Sequence, residues 1–151
     1  MRSCGLLLYR TTPGLELWLG HVGGPFWARK DAAGWSIPKG EPLPGEADLA
    51  AAIREFTEEI GAPPPAEEFV IVGEFVQSSR KTIAIFAAET TAEVTFEGSN
   101  GFELEWPPRS GRIQSFPEID RAEWVSAERA RTLLVAGQVP VLDALERALA
   151  A

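Results

Sequence analysis

Three carboxylates, Glu55, Glu58 and Glu59, stand three and four residues apart in the run Arg54-Glu55-Phe56-Thr57-Glu58-Glu59. On a helix that spacing brings them together, because residues at i, i+3 and i+4 are surface neighbours. The apolar residues Leu49, Ile53, Phe56 and Ile60 step by four, three and four along the same segment. They define a core-facing stripe, which predicts that Glu58 and Glu59 are exposed on the far side. Like charges this close repel by about 0.2–0.5 kcal/mol per pair on an isolated helix. A hard divalent cation turns that repulsion into coordination, because such ions take carboxylate oxygens. The plainer alternative is a solvated acidic face with no ligand.

The flanking residues position this helix. Trp35-Ser36-Ile37 reads as a short strand, and Pro38-Lys39-Gly40 as the start of a loop. Pro42, Pro44 and Gly45 keep the next residues irregular. The helix is expected to begin near Glu46, with Glu46 and Asp48 favourably placed at its positive end. Gly61 suits the left-handed position that closes a helix, and Pro63-Pro64-Pro65 forbids continuation. The order is strand, glycine loop, acidic helix, abrupt stop.

The spacing Gly40, five residues, Glu46, seven residues, Arg54-Glu55-Phe56, one residue, Glu58-Glu59, one residue, Gly61-Ala62 resembles the signature of the Nudix hydrolases. These enzymes cleave a nucleoside diphosphate linked to another group. Ala62 departs from the pattern, which usually has a larger aliphatic residue there; the change concerns packing behind the helix. The resemblance implies an α/β/α sandwich, a mixed sheet between helices, as a single domain over residues 1–151. It also implies Mg²⁺, with Mn²⁺ as the alternative. Carried over residue by residue, Glu58 and Glu59 would be metal ligands and the Gly40 carbonyl a further oxygen. Glu55 would be a ligand or the base that activates water. Arg54 would hold the glutamates in place; its plain reading is an i,i+4 pair with Glu58. Glu46 would be structural or lie outside the ligand shell. Many members take a further carboxylate from a later segment, and Glu103 or Glu105, which share a face, could supply it.

The resemblance implies a small phosphoanhydride substrate and leaves its identity open. The Pro38-Lys39-Gly40 variant is similar to members acting on dinucleoside polyphosphates or diphosphoinositol phosphates. The tyrosine that the dinucleoside group carries beyond the box is replaced here by the Gln77-Ser78-Ser79-Arg80 region. The expectation is Mg²⁺-dependent hydrolysis of a nucleoside diphosphate-X compound, in the manner of a nucleoside triphosphate pyrophosphohydrolase. Dinucleoside polyphosphates, diphosphoinositol polyphosphates and nucleotide sugars are the alternatives. Two readings from other classes are a nucleotide-binding sensor without turnover, against which the intact glutamates argue, and an acidic docking module without metal dependence. Members of the family often form homodimers, which is the expected assembly if there is one.

Composition bounds these readings. The 151 residues suffice for one domain with a real core. A net charge of −8 argues against a general nucleic-acid or anionic-membrane binder, which needs a basic footprint. It does not oppose a small anionic substrate, since a bound metal inverts the local field. The single cysteine, Cys4, excludes an intrachain disulfide and reads as a buried strand residue. No apolar run is long enough to span a membrane, and Cys4 to Tyr9 is too short for a signal peptide core. A cytoplasmic location is the default expectation.

The rest of the chain reads as paired strands with few helices. Ser3–Tyr9 and Leu15–Leu19 form a hairpin across Thr11–Gly14. The loop from His21 to Gly34 holds Phe26, Trp27, Arg29, Lys30 and Asp31. Its cations could meet phosphates and its aromatics stack on a base; equally, Phe26 and Trp27 could cap the core while the cations are solvated. His21 reads as a structural or surface residue. Phe69–Val76 and Lys81–Ala88 form an antiparallel pair across the turn Gln77–Arg80. Phe102–Trp106 alternates as a strand with one wet face, followed by a loop from Pro107 to Gly111. Arg121–Val125 is a last strand, and Ser126 caps a helix through Leu134 that Gly137 ends. Pro140 opens a final helix with Val141, Leu142, Leu145 and Leu149 on one face. Lys39, Lys81 and Arg109 are candidate phosphate contacts. Lys39 could instead merely balance Glu41.

Overall fold

The computed structural model describes residues 1–151. The first strand, β1 (Arg2–Arg10), is buried on both faces along most of its length. That is the pattern of a strand covered by helices on both sides. It runs antiparallel to β2 (Glu16–Val22), but the two pair only at Tyr9–Leu17 and Arg10–Glu16. Beyond that point they diverge, and the chain from Trp35 to Gly40 fills the gap. Its first half, β3 (Trp35–Ser36), pairs with β2; its second half, β4 (Lys39–Gly40), pairs with β1 opposite Cys4 and Gly5. Ile37 and Pro38 are the crossover between the two.

The acidic helix follows as α1 (Asp48–Ile60). Then come β5 (Val70–Ser78) and β6 (Lys81–Glu89), an antiparallel pair, with β6 lying parallel to β1. β7 (Gly101–Glu105) and β8 (Ile113–Pro117) form a separate two-stranded ribbon. β9 (Ile119–Ser126) returns to the outer side of β2. Two helices close the chain, α2 (Ala127–Leu133) and α3 (Val139–Ala150), joined through a 3₁₀ turn at Ala136–Gln138. The main sheet has seven strands, in the order β3-β2-β1-β6-β5 with β4 on β1 and β9 on β2.

Side-chain alternation splits the core into two layers. Cys4, Leu6 and Leu8 of β1 face α1, where they meet Ala51, Ala52, Phe56 and Ile60. Leu7 faces the other way and joins Leu17, Leu19 and Ile85 against Ala130, Val141, Leu142 and Leu145 of α2 and α3. Each large side chain so enclosed contributes about 1.5–3 kcal/mol relative to exposure. The result is the expected mixed sheet between helices. Cys4 is fully buried. No helix is long and apolar enough to cross a membrane.

Several boundaries differ from expectation. α1 begins at Asp48 behind Ala47, so Glu46 lies in the preceding loop. Leu49 and Ile53 are only half-buried, and Glu59 joins Phe56 and Ile60 on the buried face. β5 extends through Gln77 and Ser78, which shortens the turn to Ser79-Arg80. β8 has no counterpart among the expected strands, since its residues are mostly exposed and lack clear alternation. α2 ends at Leu133, and Gly137 sits inside the 3₁₀ turn. Gly137 is required there because a β-carbon would collide with the Gln77 carbonyl. Leu149 is exposed, so α3 buries Val141, Leu142 and Leu145 only. Ser126 caps α2 as expected, accepting the Arg129 N–H at 3.2 Å. Gly61 closes α1 at φ 95°, donating to Thr57 O at 2.9 Å.

Candidate active site

Arg54 is the hub of the acidic helix. Its Nε and Nη2 each donate at 2.9 Å to one oxygen of Glu46. Nη1 donates to Glu55 at 3.0 Å and to both oxygens of Glu58 at 3.2 Å, and Nη2 also reaches the Glu41 carbonyl at 3.1 Å. One guanidinium thus fixes three carboxylates. Only arginine offers enough donors in a planar fork to do so. The plain reading of Arg54 as an i,i+4 partner of Glu58 is part of a larger arrangement. Glu46 also accepts the Leu43 N–H at 2.9 Å, and these bonds, Arg54 foremost, hold its carboxyl below its ordinary range.

Glu59 is not exposed. Only 4% of it reaches solvent, because its face of α1 lies against β4. Its Oε2 accepts the backbone N–H of Lys39 at 3.1 Å. Burial, reinforced by the neighbouring Glu55, pushes its carboxyl up to about 8. Glu55 rests directly on Gly40: a β-carbon at position 40 would fall inside the Glu55 carboxylate. Burial raises Glu55 as well, opposed by its bond from Arg54. The Lys39 ammonium is lowered mainly by burial, and Glu59, Glu55 and Glu118 act on it in the opposite sense.

Glu118 is the fourth carboxylate of the cluster. Burial raises it first and Glu58 second. Its position follows from a junction of three segments. Its N–H donates to Asn100 O at 3.0 Å, its carbonyl accepts Gly23 N–H at 2.8 Å, and Asn100 N–H in turn donates to Glu58 O at 3.0 Å. The base of the β7–β8 ribbon therefore anchors on the end of α1, and the loop after β2 joins it through Glu118. Glu103 and Glu105 do not take this place. Both are exposed on the wet face of β7, and Glu105 accepts the N–H groups of Arg109 and Gly111 across the ribbon's loop.

The other candidates are dispersed. Arg109 sits exposed in that loop at φ 61°. Phe26 and Trp106 meet edge to face at 5.2 Å, joining the loop after β2 to the ribbon. Lys30 lies over Trp27 at 5.3 Å, while Arg29 is exposed. Lys81 is exposed at the start of β6, and its charge helps to lower Lys39. His21 is wholly buried between Asp120 and the Lys30 carbonyl, at 2.8 and 2.5 Å. Of the structural and surface readings, its burial and two bonded ring nitrogens leave the structural one.

The oxygens in this region come from Glu55, Glu58, Glu59, Glu118 and the backbone at Gly40, and no three of its carboxylates form a preassembled metal site. Hard divalent cations take such ligands. Two further observations fit a cation here. Glu59 is buried with no cationic partner bonded to it, an unfavourable state for a carboxylate. Gly40 leaves the space that lets Glu55 lie against the backbone.

A sandwich of this kind with an acidic helix on one face defines a known class. A family model described as NUDIX domain matches residues 5–145, and the chain belongs to the Nudix family. Members of this family generally use divalent metals. The chain is 34% identical over 101 residues to the mRNA-decapping protein g5R of African swine fever virus (isolate Pig/Kenya/KEN-50/1950), a match covering 64% of the chain and 39% of that protein. The chain thus spans about two-fifths of the length of this curated relative. Among solved structures, an Ap4A hydrolase binary complex from C. elegans superposes with a TM-score of 0.64 at 21% identity, covering 98% of both chains. The NUDIX domain of Shewanella oneidensis NrtR, complexed with ADP ribose, gives 0.66 at 14% identity, covering 99% of this chain and 88% of that one. These two likenesses concern the fold.

Proposed function

We propose that this enzyme hydrolyses, with Mg²⁺, a phosphoanhydride bond in a nucleoside diphosphate linked to a further group. The burial of Glu59 beside Glu55, without a cationic partner bonded to it, carries the reading. Glu55, Glu58, Glu59 and the Gly40 carbonyl would hold the metal. When bound, Mg²⁺ polarises phosphate oxygens and neutralises developing charge. Arg54 orients Glu55 and Glu58 from behind. Water attacks phosphorus as the bond from phosphorus to the bridging oxygen breaks, and a carboxylate takes the water's proton. Glu118 suits that task better than Glu55, because no arginine holds it in the ionised form. Lys39 and Lys81 supply positive charge for the remaining phosphates.

The first reading of the substrate is a nucleoside triphosphate or a dinucleoside polyphosphate. A capped RNA end is the second reading, favoured by the 34% identity to g5R over 101 residues; the cap is also joined through phosphoanhydrides. A Mg²⁺-dependent screen of nucleoside triphosphates, dinucleoside polyphosphates, ADP-ribose, nucleotide sugars, diphosphoinositol phosphates and capped oligonucleotides separates these, with Glu59→Gln as the blank. Turnover of one class, lost in the blank, names the substrate. Nucleotide binding without turnover would replace the enzyme reading by the sensor.

A further inference from the structure

The crossover at Ile37-Pro38 poses a backbone problem. β3 ends on β2 at Ser36 and β4 begins on β1 at Lys39, so the two residues between them lie outside the strand ladders. Pro38 has no N–H to satisfy, and its carbonyl accepts the Leu6 N–H at 3.1 Å. Ile37 does have an N–H, and it is buried. A buried donor needs a partner. It finds one in a side chain a hundred residues away: Ile37 N donates to Gln138 Oε1 at 2.9 Å.

Gln138 is fully buried in the 3₁₀ turn before α3. Its amide is used on both ends. Nε2 donates to Ser36 Oγ at 2.9 Å and to Gln77 Oε1 at 3.2 Å, and Ser36 Oγ donates to the Ile37 carbonyl at 2.8 Å. A satisfied buried network of this kind rigidifies what it touches. Here it joins two segments. One leads within two residues to Lys39, whose N–H binds Glu59, and to Gly40, on which Glu55 rests. The other is the end of β5, which turns at Ser79-Arg80 into Lys81.

We infer that Gln138 is a positioning residue for the metal site: its amide, on the opposite face of the sheet, fixes the Ile37–Gly40 backbone that packs against Glu55 and Glu59. The inference rests on the metal-site reading above. An apolar side chain of the same length leaves the Ile37 N–H, Ser36 and Gln77 without their partner. The crossover then loses its anchor on that face, while the α1 glutamates and Arg54 stay unchanged in identity. Loss of outer-shell partners commonly weakens metal binding by about 10–100-fold.

The test measures Mn²⁺ affinity of the full chain by electron paramagnetic resonance, which needs no substrate. Four proteins are compared: wild type, Glu59→Gln, Gln138→Met and Leu142→Ala. The last truncates the α2–α3 layer of the core, which also holds Ile37, without removing any hydrogen bond of the network. The expected result is tight binding in the wild type, loss in Glu59→Gln, weakening of about tenfold or more in Gln138→Met, and wild-type affinity in Leu142→Ala. Faster amide exchange at Ile37 in Gln138→Met accompanies it. Should Gln138→Met fail to fold, Gln138→Asn, which keeps the amide but shortens its reach, is read in the same way. Wild-type affinity in the Gln138 variant, or equal weakening in Leu142→Ala, overturns the inference while leaving the metal site standing. No binding by the wild type, or unchanged binding in Glu59→Gln, overturns the metal site and the inference with it.

Discussion

The backbone N–H of Lys39 and the carboxylate of Glu59 meet at 3.1 Å, and this bond ties the acidic helix to the strand that crosses from β2 to β1. It places Glu59 where water is excluded, beside a second carboxylate on Gly40. Burying Glu59 beside that second carboxylate is expected to cost the protein stability when no cation is bound.

That cost has a pH dependence. The Glu59 carboxyl is raised to about 8 from an ordinary value of 4.5. Between these values the folded protein retains a proton that the unfolded chain has released, so stability falls as pH rises through this range. Glu59→Gln is predicted to raise the melting temperature of the metal-free protein by several degrees at pH 8 and to change it little near pH 4; each kcal/mol is about 2–4 °C at this chain length. Thermal denaturation of both proteins with EDTA tests this. A Gln variant that is less stable at pH 8 would contradict it.

Arg54→Lys is predicted to lower kcat by about 10–100-fold with little effect on folding. An ammonium cannot donate to Glu46, Glu55 and Glu58 in one plane. Steady-state kinetics with far-ultraviolet dichroism of the variant would decide the point. Near-normal kcat would mean that Arg54 is only a surface pair.

Glu118→Gln should reduce kcat by about 10²–10⁴-fold while Mn²⁺ affinity falls far less than in Glu59→Gln. The acidic limb of the pH–rate profile should flatten in this variant, since that limb reports protonation of the base. Glu103→Gln and Glu105→Gln are expected to retain wild-type rates. A loss confined to those two, with Glu118→Gln active, would move the base to the ribbon.

At the other end of α1, Arg2 makes paired bonds to Asp48 at 2.6 Å and a further one to Glu74 at 3.0 Å. The guanidinium holds the Asp48 carboxyl below its ordinary 3.8. The stability this supplies is present above pH 3.8 and disappears as pH falls through the lowered value. Both side chains are more than one-third exposed, so the effect is within about 1 kcal/mol. Asp48→Asn should lower the melting temperature by a few degrees at pH 7, and the difference from wild type should shrink as pH falls below 3.8. Parallel curves across that range would rule the pair out.

What could be read from the sequence was local. The spacing of Arg54, Glu55, Glu58 and Glu59 sits on one helix, and Gly61 with Pro63 marks its end, so neighbours along the chain sufficed. Alternation identified β7 but not β8, whose Ile113-Gln114-Ser115-Phe116-Pro117 has no clean period; without β8, nothing directed attention to Glu118. The burial of Glu59 depends on how β4 packs against α1, which helical periodicity does not encode. Gln138 lay further still from view, because its meaning comes from Ser36, Ile37 and Gln77, three positions that only the folded sheet assembles.

The most direct measurement is Mg²⁺-dependent release of phosphate-containing products, resolved by mass, from the substrate panel with wild type and Glu59→Gln side by side. The expected result is turnover of one substrate class that needs Mg²⁺ and falls by orders of magnitude in the variant. Equal turnover by both proteins, or turnover that persists in EDTA, would contradict it.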